Sequence, residues 1–250
     1  MTNRTHIYFA SDFHLGVPNF EKSLEREKRI VKWLDQISIN AKAIYLVGDL
    51  FDFWFEYRTV VPKGFTRLLG KLAELTDNGV EIHLFHGNHD LWQFGYFEKE
   101  LGVIVHKKPI EITLGNTCFY IAHGDGLGPK QHRFKFILSI YRNYFFQRLF
   151  AFFHPNIGIG IANYVSAKSK EKTFADNAGY LGDDKEYLML YTKSILSTSK
   201  ADYFVYGHRH LPMFKEVAPG RFYFNLGDWF SYNTYAEFDG KSLTLKTFTP

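Results

Sequence analysis

Phe85-His86-Gly87-Asn88-His89-Asp90 closes an apolar run over residues 80–85, whose mixed aliphatic and aromatic side chains read as a buried strand ending in a glycine turn. A polar cluster thus emerges at a strand end, where open α/β sheets hold their ligands. Alone, Asn-His-Asp is a weak signal, because loops use these residue types simply to make turns. Four other strand ends carry matching groups: Asp12 and His14 after residues 7–10, Asp49 and Asp52 after 44–47, His123 and Asp125 after 118–122, and His208 and His210 after 203–206. Five coincidences of one kind are hard to assign to turns.

Around these ends the chain alternates. Residues 21–37 place Ile30, Leu34 and Ile37 at helical spacing, and residues 64–76 do the same with Phe65, Leu68, Leu69, Leu72 and Leu75. Asp77-Asn78-Gly79 ends the second helix. The first 90 residues therefore read βαβαβ, the pattern of an α/β fold whose strand ends gather on one edge. A hairpin is expected over 110–114 and 118–122 around Gly115-Asn116, a helix near 185–197, and strands at 203–206, 221–226, 234–238 and 242–248. Asp239-Gly240 is the hairpin turn between the last two.

Between residues 130 and 172 the regular pattern stops. Phe134, Phe136, Tyr141, Tyr144, Phe145, Phe146, Phe150, Phe152 and Phe153 are interleaved with Arg133, Lys135, Arg142 and Arg148. The expectation is one domain over 1–250 with a helical cap inserted over about 127–183. No uncharged run of about 18 residues occurs there, which excludes a membrane-spanning helix. Two helices packed on the main domain account for such a segment; so does an aromatic face that receives an acyl chain or rests on a bilayer, with arginines near lipid phosphates.

Composition sets outer bounds. Of 250 residues, 46% are hydrophobic and 22% charged, an ordinary globular balance, whereas 18% aromatic calls for a large core or an apolar contact surface. Cys118 is the lone cysteine, so no intramolecular disulfide forms, and cytoplasm is the expected compartment. The polar residues 1–6 run straight into the first strand without a signal-peptide pattern. A net charge of +4 identifies no partner, although it suits an anionic substrate or membrane surface.

Asp12, His14, Asp49, Asn88, His123, His208 and His210 together form a donor set of imidazole and oxygen without thiolate. That set suits Mn, Fe or Zn and argues against iron–sulfur clusters or Cu(I). Seven donors exceed one tetrahedral site, whereas two ions sharing a carboxylate use them all. Such a pair activates water near neutral pH and stabilises both oxygens of an in-line phosphoryl displacement.

The blocks Asp12/His14, Gly48/Asp49/Asp52, Gly87 to Asp90, His123 and Gly207/His208/His210, in this order, resemble the calcineurin-like metallophosphoesterase superfamily. The resemblance implies a four-layer α/β/β/α sandwich and two divalent ions, with Mn2+ first in order. Asp12, His14, Asp49 and His210 would hold one ion, and Asp49, Asn88, His123 and His208 the other, Asp49 bridging. It also implies that His89 faces the substrate phosphate, oriented by Asp90, and that Asp52 fixes a ligand from behind.

Nearly the whole chain is similar to the branch that hydrolyses the pyrophosphate of UDP-2,3-diacylglucosamine in lipid A synthesis. That likeness implies a nucleotide-linked glycolipid substrate, peripheral contact with the cytoplasmic face of the inner membrane, and no nucleic acid partner. Ser166, Lys168, Lys170 and Lys172, with Asn88 and His89, are its candidate substrate-binding residues; the lysines also read as a solvated basic run. The chain departs from that branch at His89, where many members carry arginine. A phosphodiesterase or pyrophosphatase for soluble nucleotides, a DNA-cutting relative and a scaffold with decayed catalysis are the other readings.

Overall fold

The computed structural model describes residues 4–129, 131–162, 164 and 179–249. Parallel strands β1 (His6–Ala10), β2 (Ala41–Leu46), β3 (Glu81–Phe85) and β4 (Ile104–His106) alternate with helices α1 (Phe20–Ile37), α2 (Thr66–Asp77) and α3 (Tyr96–Leu101). The hairpin β5 (Ile110–Leu114) and β6 (Thr117–Ala122) starts a second sheet. Helices α4 (His132–Arg142) and α5 (Tyr144–Ala151) follow, and residues 155–162 are also helical. After α6 (Tyr187–Ile195) come β7 (Tyr203–Tyr206), β8 (Met213–Ala218), β9 (Arg221–Asn225), β10 (Thr234–Phe238) and β11 (Leu243–Thr247).

One sheet has the order β11-β10-β1-β2-β3-β4 and the other β5-β6-β7-β9-β8. Period-two alternation sends Tyr8, Ala10, Ile44 and Leu46 toward α1 and α2, and Ile7, Phe9, Ala43 and Tyr45 toward the second sheet. A third cluster joins α6 to the second sheet through Leu188, Met189, Phe204 and Tyr206. The layers are therefore helix, sheet, sheet, helix. Burial on both faces explains why the central strands read as continuous apolar runs.

Helix α2 is capped from outside itself. Its N-terminal neighbour Phe65 has a left-handed backbone and makes no capping bond. The buried carboxylate of Glu27, on α1, accepts the Arg67 and Leu68 amides at 2.8 and 3.1 Å instead. Glu27→Ala leaves those amides without an acceptor and is expected to cost about 1–3 kcal/mol, read by chemical denaturation.

The helical segment after β6 docks on the loops above the first sheet. Phe150 packs against Phe53, Phe55 and Trp92. Trp92 Nε1 donates to the Tyr141 carbonyl at 2.7 Å, and Arg142 pairs with the nearly buried Asp125 at 2.7 Å.

Candidate metal centre

Every predicted motif stands at the C-terminal end of a parallel strand: β1, β2 and β3 in one sheet, β6 and β7 in the other. Because the sheets lie face to face, those ends meet along one edge. Two donor groups form there. Asp12, His14, Asp49 and His210 bring one donor atom each within 4.8 Å of one another, and Asp49, His123 and His208 do likewise, so that Asp49 belongs to both. Asn88 joins the second group, its Oδ1 lying 3.3 Å from His123 Nε2.

The local backbone is strained to achieve this. Asp12, His14, Asp49, His208 and His210 all adopt positive φ, between 42° and 63°, where side-chain-bearing residues rarely sit. The loops brace one another: Asp12 N donates to the Gly48 carbonyl, His14 N to the Asp49 carbonyl and His208 N to Asp12 Oδ2. Approach is close enough to demand glycine. A Cβ on Gly207 would lie 2.5 Å from Asp12 Oδ2, and one on Gly87 would overlap the Asp49 carboxylate.

Polar contacts from behind, a hydrogen bond at His123 and carboxylates near His14 and His210, set which nitrogens face inward. His123 Nδ1 donates to the Val47 carbonyl at 2.8 Å, so Nε2 turns to Asp49 Oδ2 at 3.3 Å. His14 Nδ1 lies 3.4 Å from Asp52 Oδ1, and His210 Nδ1 lies 3.9 Å from Asp228 Oδ2. Their Nε2 atoms face each other at 3.1 Å, with that of His210 3.0 Å from Asp12 Oδ1. Carboxylate, amide and imidazole groups thus converge, and buried Asp12 Oδ1, ion-paired with His210 Nε2, makes no hydrogen bond of regular geometry among the described residues. A cation satisfies such a cluster, and its nitrogen and oxygen donors fit a borderline or hard divalent ion.

The electrostatics agree. Burial alone would raise the Asp12 and Asp49 carboxyls, but the imidazoles of His210 and His123 respectively hold both well below the ordinary carboxylate range. Burial opposes charge on His123 and His210, yet Asp49 and Asp12 hold both imidazoles above the ordinary histidine value. His208, half-buried and beside His123, is pulled down to about 3, chiefly by loss of solvent around its ring, and is a neutral donor. The two imidazoles thus supply the positive charge that keeps the two carboxylates ionised, a charge that a bound divalent ion would replace.

A third group, His14, Asp52 and His89, also lies within ligand distance. His14 Nδ1 faces it at 3.4 Å from Asp52 Oδ1 while His14 Nε2 faces the first, which gives this group the character of a charged support behind the first. His89 Nδ1 is 2.9 Å from the Asp52 carbonyl oxygen, which only accepts, so Nδ1 carries the proton and Nε2 occupies the opposite edge of the ring.

Asp90 requires a correction. The sequence reading has it orienting His89, but its two oxygens accept the Gly87 and Leu50 amides at 2.8 Å each. Fully buried beside Asp49, its carboxyl is pushed up to about 7, the burial contributing most. It ties two motif loops together, and His89 is oriented through Asp52. Ser166, Lys168, Lys170 and Lys172 lie outside the described residues.

Asp228, behind His210, is absent from the sequence reading. It accepts the Phe230, Ser231 and Tyr232 amides through Oδ1. Its signal was available, since Gly227-Asp228 follows β9 as the other polar ends follow their strands.

A pocket of about 440 Å³ opens beside Asn88 and His89, walled by Phe53, Trp92, Phe134, Leu138, Tyr141 and Phe150. Phe134 also packs against His208, with ring centroids 5.7 Å apart, so the helical segment reaches the loops that carry the donor groups.

Comparison with known proteins agrees with this geometry. The sequence profile of the calcineurin-like phosphoesterases matches residues 5–212. The chain belongs to the calcineurin-like phosphoesterase family. A protein of Porphyromonas gingivalis named UDP-2,3-diacylglucosamine hydrolase is 41% identical, with 98% of each chain covered. One of the same name from Haemophilus influenzae is 26% identical over 82% of this chain and 83% of its own length. A solved phosphoesterase structure from E. coli covers 97% of this chain and 92% of its own at 17% identity, with a TM-score of 0.48. As a calcineurin-like phosphoesterase the chain is a hydrolase, and family and donor set together imply divalent metal ions.

Proposed function

We propose that this phosphoesterase hydrolyses the pyrophosphate bond of UDP-2,3-diacylglucosamine, releasing UMP and 2,3-diacylglucosamine 1-phosphate. The observation that carries the proposal is the aromatic pocket beside Asn88 and His89, since acyl chains need an apolar groove next to the phosphate site. The 41% identical relative of that name supports the same substrate. In this reading the insertion over about 127–183 is a cap that receives acyl chains.

Asp12, His14, Asp49 and His210 would hold one ion, and Asp49, Asn88, His123 and His208 the other, with Mn2+ the expected ion. When bound, the ions supply an activated water and positive charge at the phosphorus under attack. His89 is aimed by Asp52 to hydrogen-bond the substrate phosphate and to move a proton to the leaving oxygen through Nε2. His89→Ala is expected to lower kcat about a hundredfold with Mn2+ content unchanged, measured by metal analysis beside initial rates. Loss of an ion would make His89 a ligand.

The outer face of the cap exposes Phe136, Tyr144, Phe145 and Phe152 beside Arg133, Lys135 and Arg148. Aromatic side chains with interleaved cations suit the interface of an anionic bilayer, and in this reading the protein works peripherally at the cytoplasmic face of the inner membrane. No helix among the described residues is long and apolar enough to cross a membrane.

The test is hydrolysis of UDP-2,3-diacylglucosamine in mixed micelles with Mn2+, beside a soluble UDP-sugar and an aryl phosphodiester. UMP release strongly favouring the lipid substrate is expected. Equal rates on the soluble UDP-sugar would remove the lipid assignment and leave a soluble-nucleotide hydrolase.

A further inference from the structure

Arg209 lies between two predicted ligands, and its neighbours His208 and His210 both have left-handed backbones, with φ of 63° and 55°. A turn of this kind relaxes unless something outside it holds it. The guanidinium projects away from the donor groups and meets Glu186 in a two-point ion pair, Nε to Oε2 at 3.0 Å and Nη2 to Oε1 at 3.1 Å. The side chains are only 12% and 2% exposed, respectively, so solvent screens the pair little.

Glu186 is the N-terminal boundary residue of α6, on the arm that returns from the helical segment to the second sheet. That arm is gathered on the same pair: Arg209 Nη2 donates to the Gly179 carbonyl at 3.2 Å, and the Leu181 amide donates to Glu186 Oε1 at 3.1 Å. The next residues of α6 press on the ligand loops. The Tyr187 ring packs edge-on against His208, and a Cβ on Gly124, directly after His123, would meet Leu188 at 3.1 Å. One side chain pair thus connects the arm, the start of α6 and the turn carrying two histidines.

We infer that Arg209 and Glu186 form a positioning clamp, which holds His208 and His210 in ligand geometry and joins them mechanically to the returning arm of the cap. Neither residue belongs to a donor group. The inference rests on the two-ion reading, which Mn2+ titration of the unaltered chain tests first and separately.

Arg209→Lys keeps the positive charge but not the planar two-point pairing, and Glu186→Gln keeps the shape but not the charge. In the metal-stripped full chain, each is expected to weaken Mn2+ binding about 10–100-fold, read from the electron paramagnetic resonance of free Mn2+ without any substrate. Both ions should be affected, because His208 and His210 serve different groups. Glu27→Ala, at the contact between α1 and the start of α2, is the control for general destabilisation and should leave the Mn2+ affinity within about twofold. Binding by both clamp variants within twofold of the unaltered chain would overturn the inference. So would an equal loss in Glu27→Ala, which would show that any loss of stability loosens the ions.

Discussion

Asp49→Ala is expected to abolish turnover, lowering kcat by about 10⁴ or more, while the protein still folds. Asp49 is the residue shared by the two donor groups, with Oδ2 3.6 Å from His14 Nε2 and 3.3 Å from His123 Nε2. Its Oδ1 also accepts the His89 amide at 2.9 Å, so its loss loosens the loop that carries the proposed acid. If each ion loses its shared carboxylate, the charge stabilisation that an ion pair brings, several kcal/mol, goes with it. Folding survives because removing a buried carboxylate also removes its desolvation cost, and His123 then has less reason to hold a proton. Metal analysis should show fewer than two Mn2+ per chain, with an unchanged circular dichroism spectrum. Near-normal turnover with two ions bound would end the bridging assignment.

The reach of the sequence follows from which interactions are local. The βαβαβ start, the Gly115-Asn116 and Asp239-Gly240 turns and the strand-end motifs are written in contiguous patterns, and the structure places strands, helices and motifs there. Three elements were illegible. Helix α3 has six residues and β4 three, too few to show a period, while β8 mixes Phe214, Lys215, Glu216 and Val217 without a fully buried face. The sites differ in the same way. Residue types at strand ends announced the donors, but Asp90 could be placed beside His89 only by adjacency, and its actual partners Gly87 and Leu50 belong to two separate loops. Glu27 capping α2 and Glu186 holding Arg209 are longer-range pairings that no local pattern encodes.

Placing charge in the acyl path is expected to separate the lipid reaction from phosphodiester chemistry itself. Ile137 and Ile161 line the pocket beside His89, and both are partly exposed, 44% and 53%, so glutamate at either position keeps access to water in the substrate-free protein. An acyl chain entering the pocket would strip that water away. Burying a carboxylate against hydrocarbon costs several kcal/mol, and chain methylenes displaced to solvent each forfeit about 0.8 kcal/mol. The double variant Ile137→Glu with Ile161→Glu is therefore expected to lower kcat/KM for UDP-2,3-diacylglucosamine about a thousandfold. Binding remote from the reacting phosphorus is felt in ground and transition states alike, so KM should carry much of the change. Hydrolysis of a small aryl phosphodiester needs only the ions and His89 and should fall by less than about threefold. Parallel loss on both substrates would mean that these isoleucines hold the helical segment in place, and unchanged lipid turnover would move the acyl chains out of this pocket.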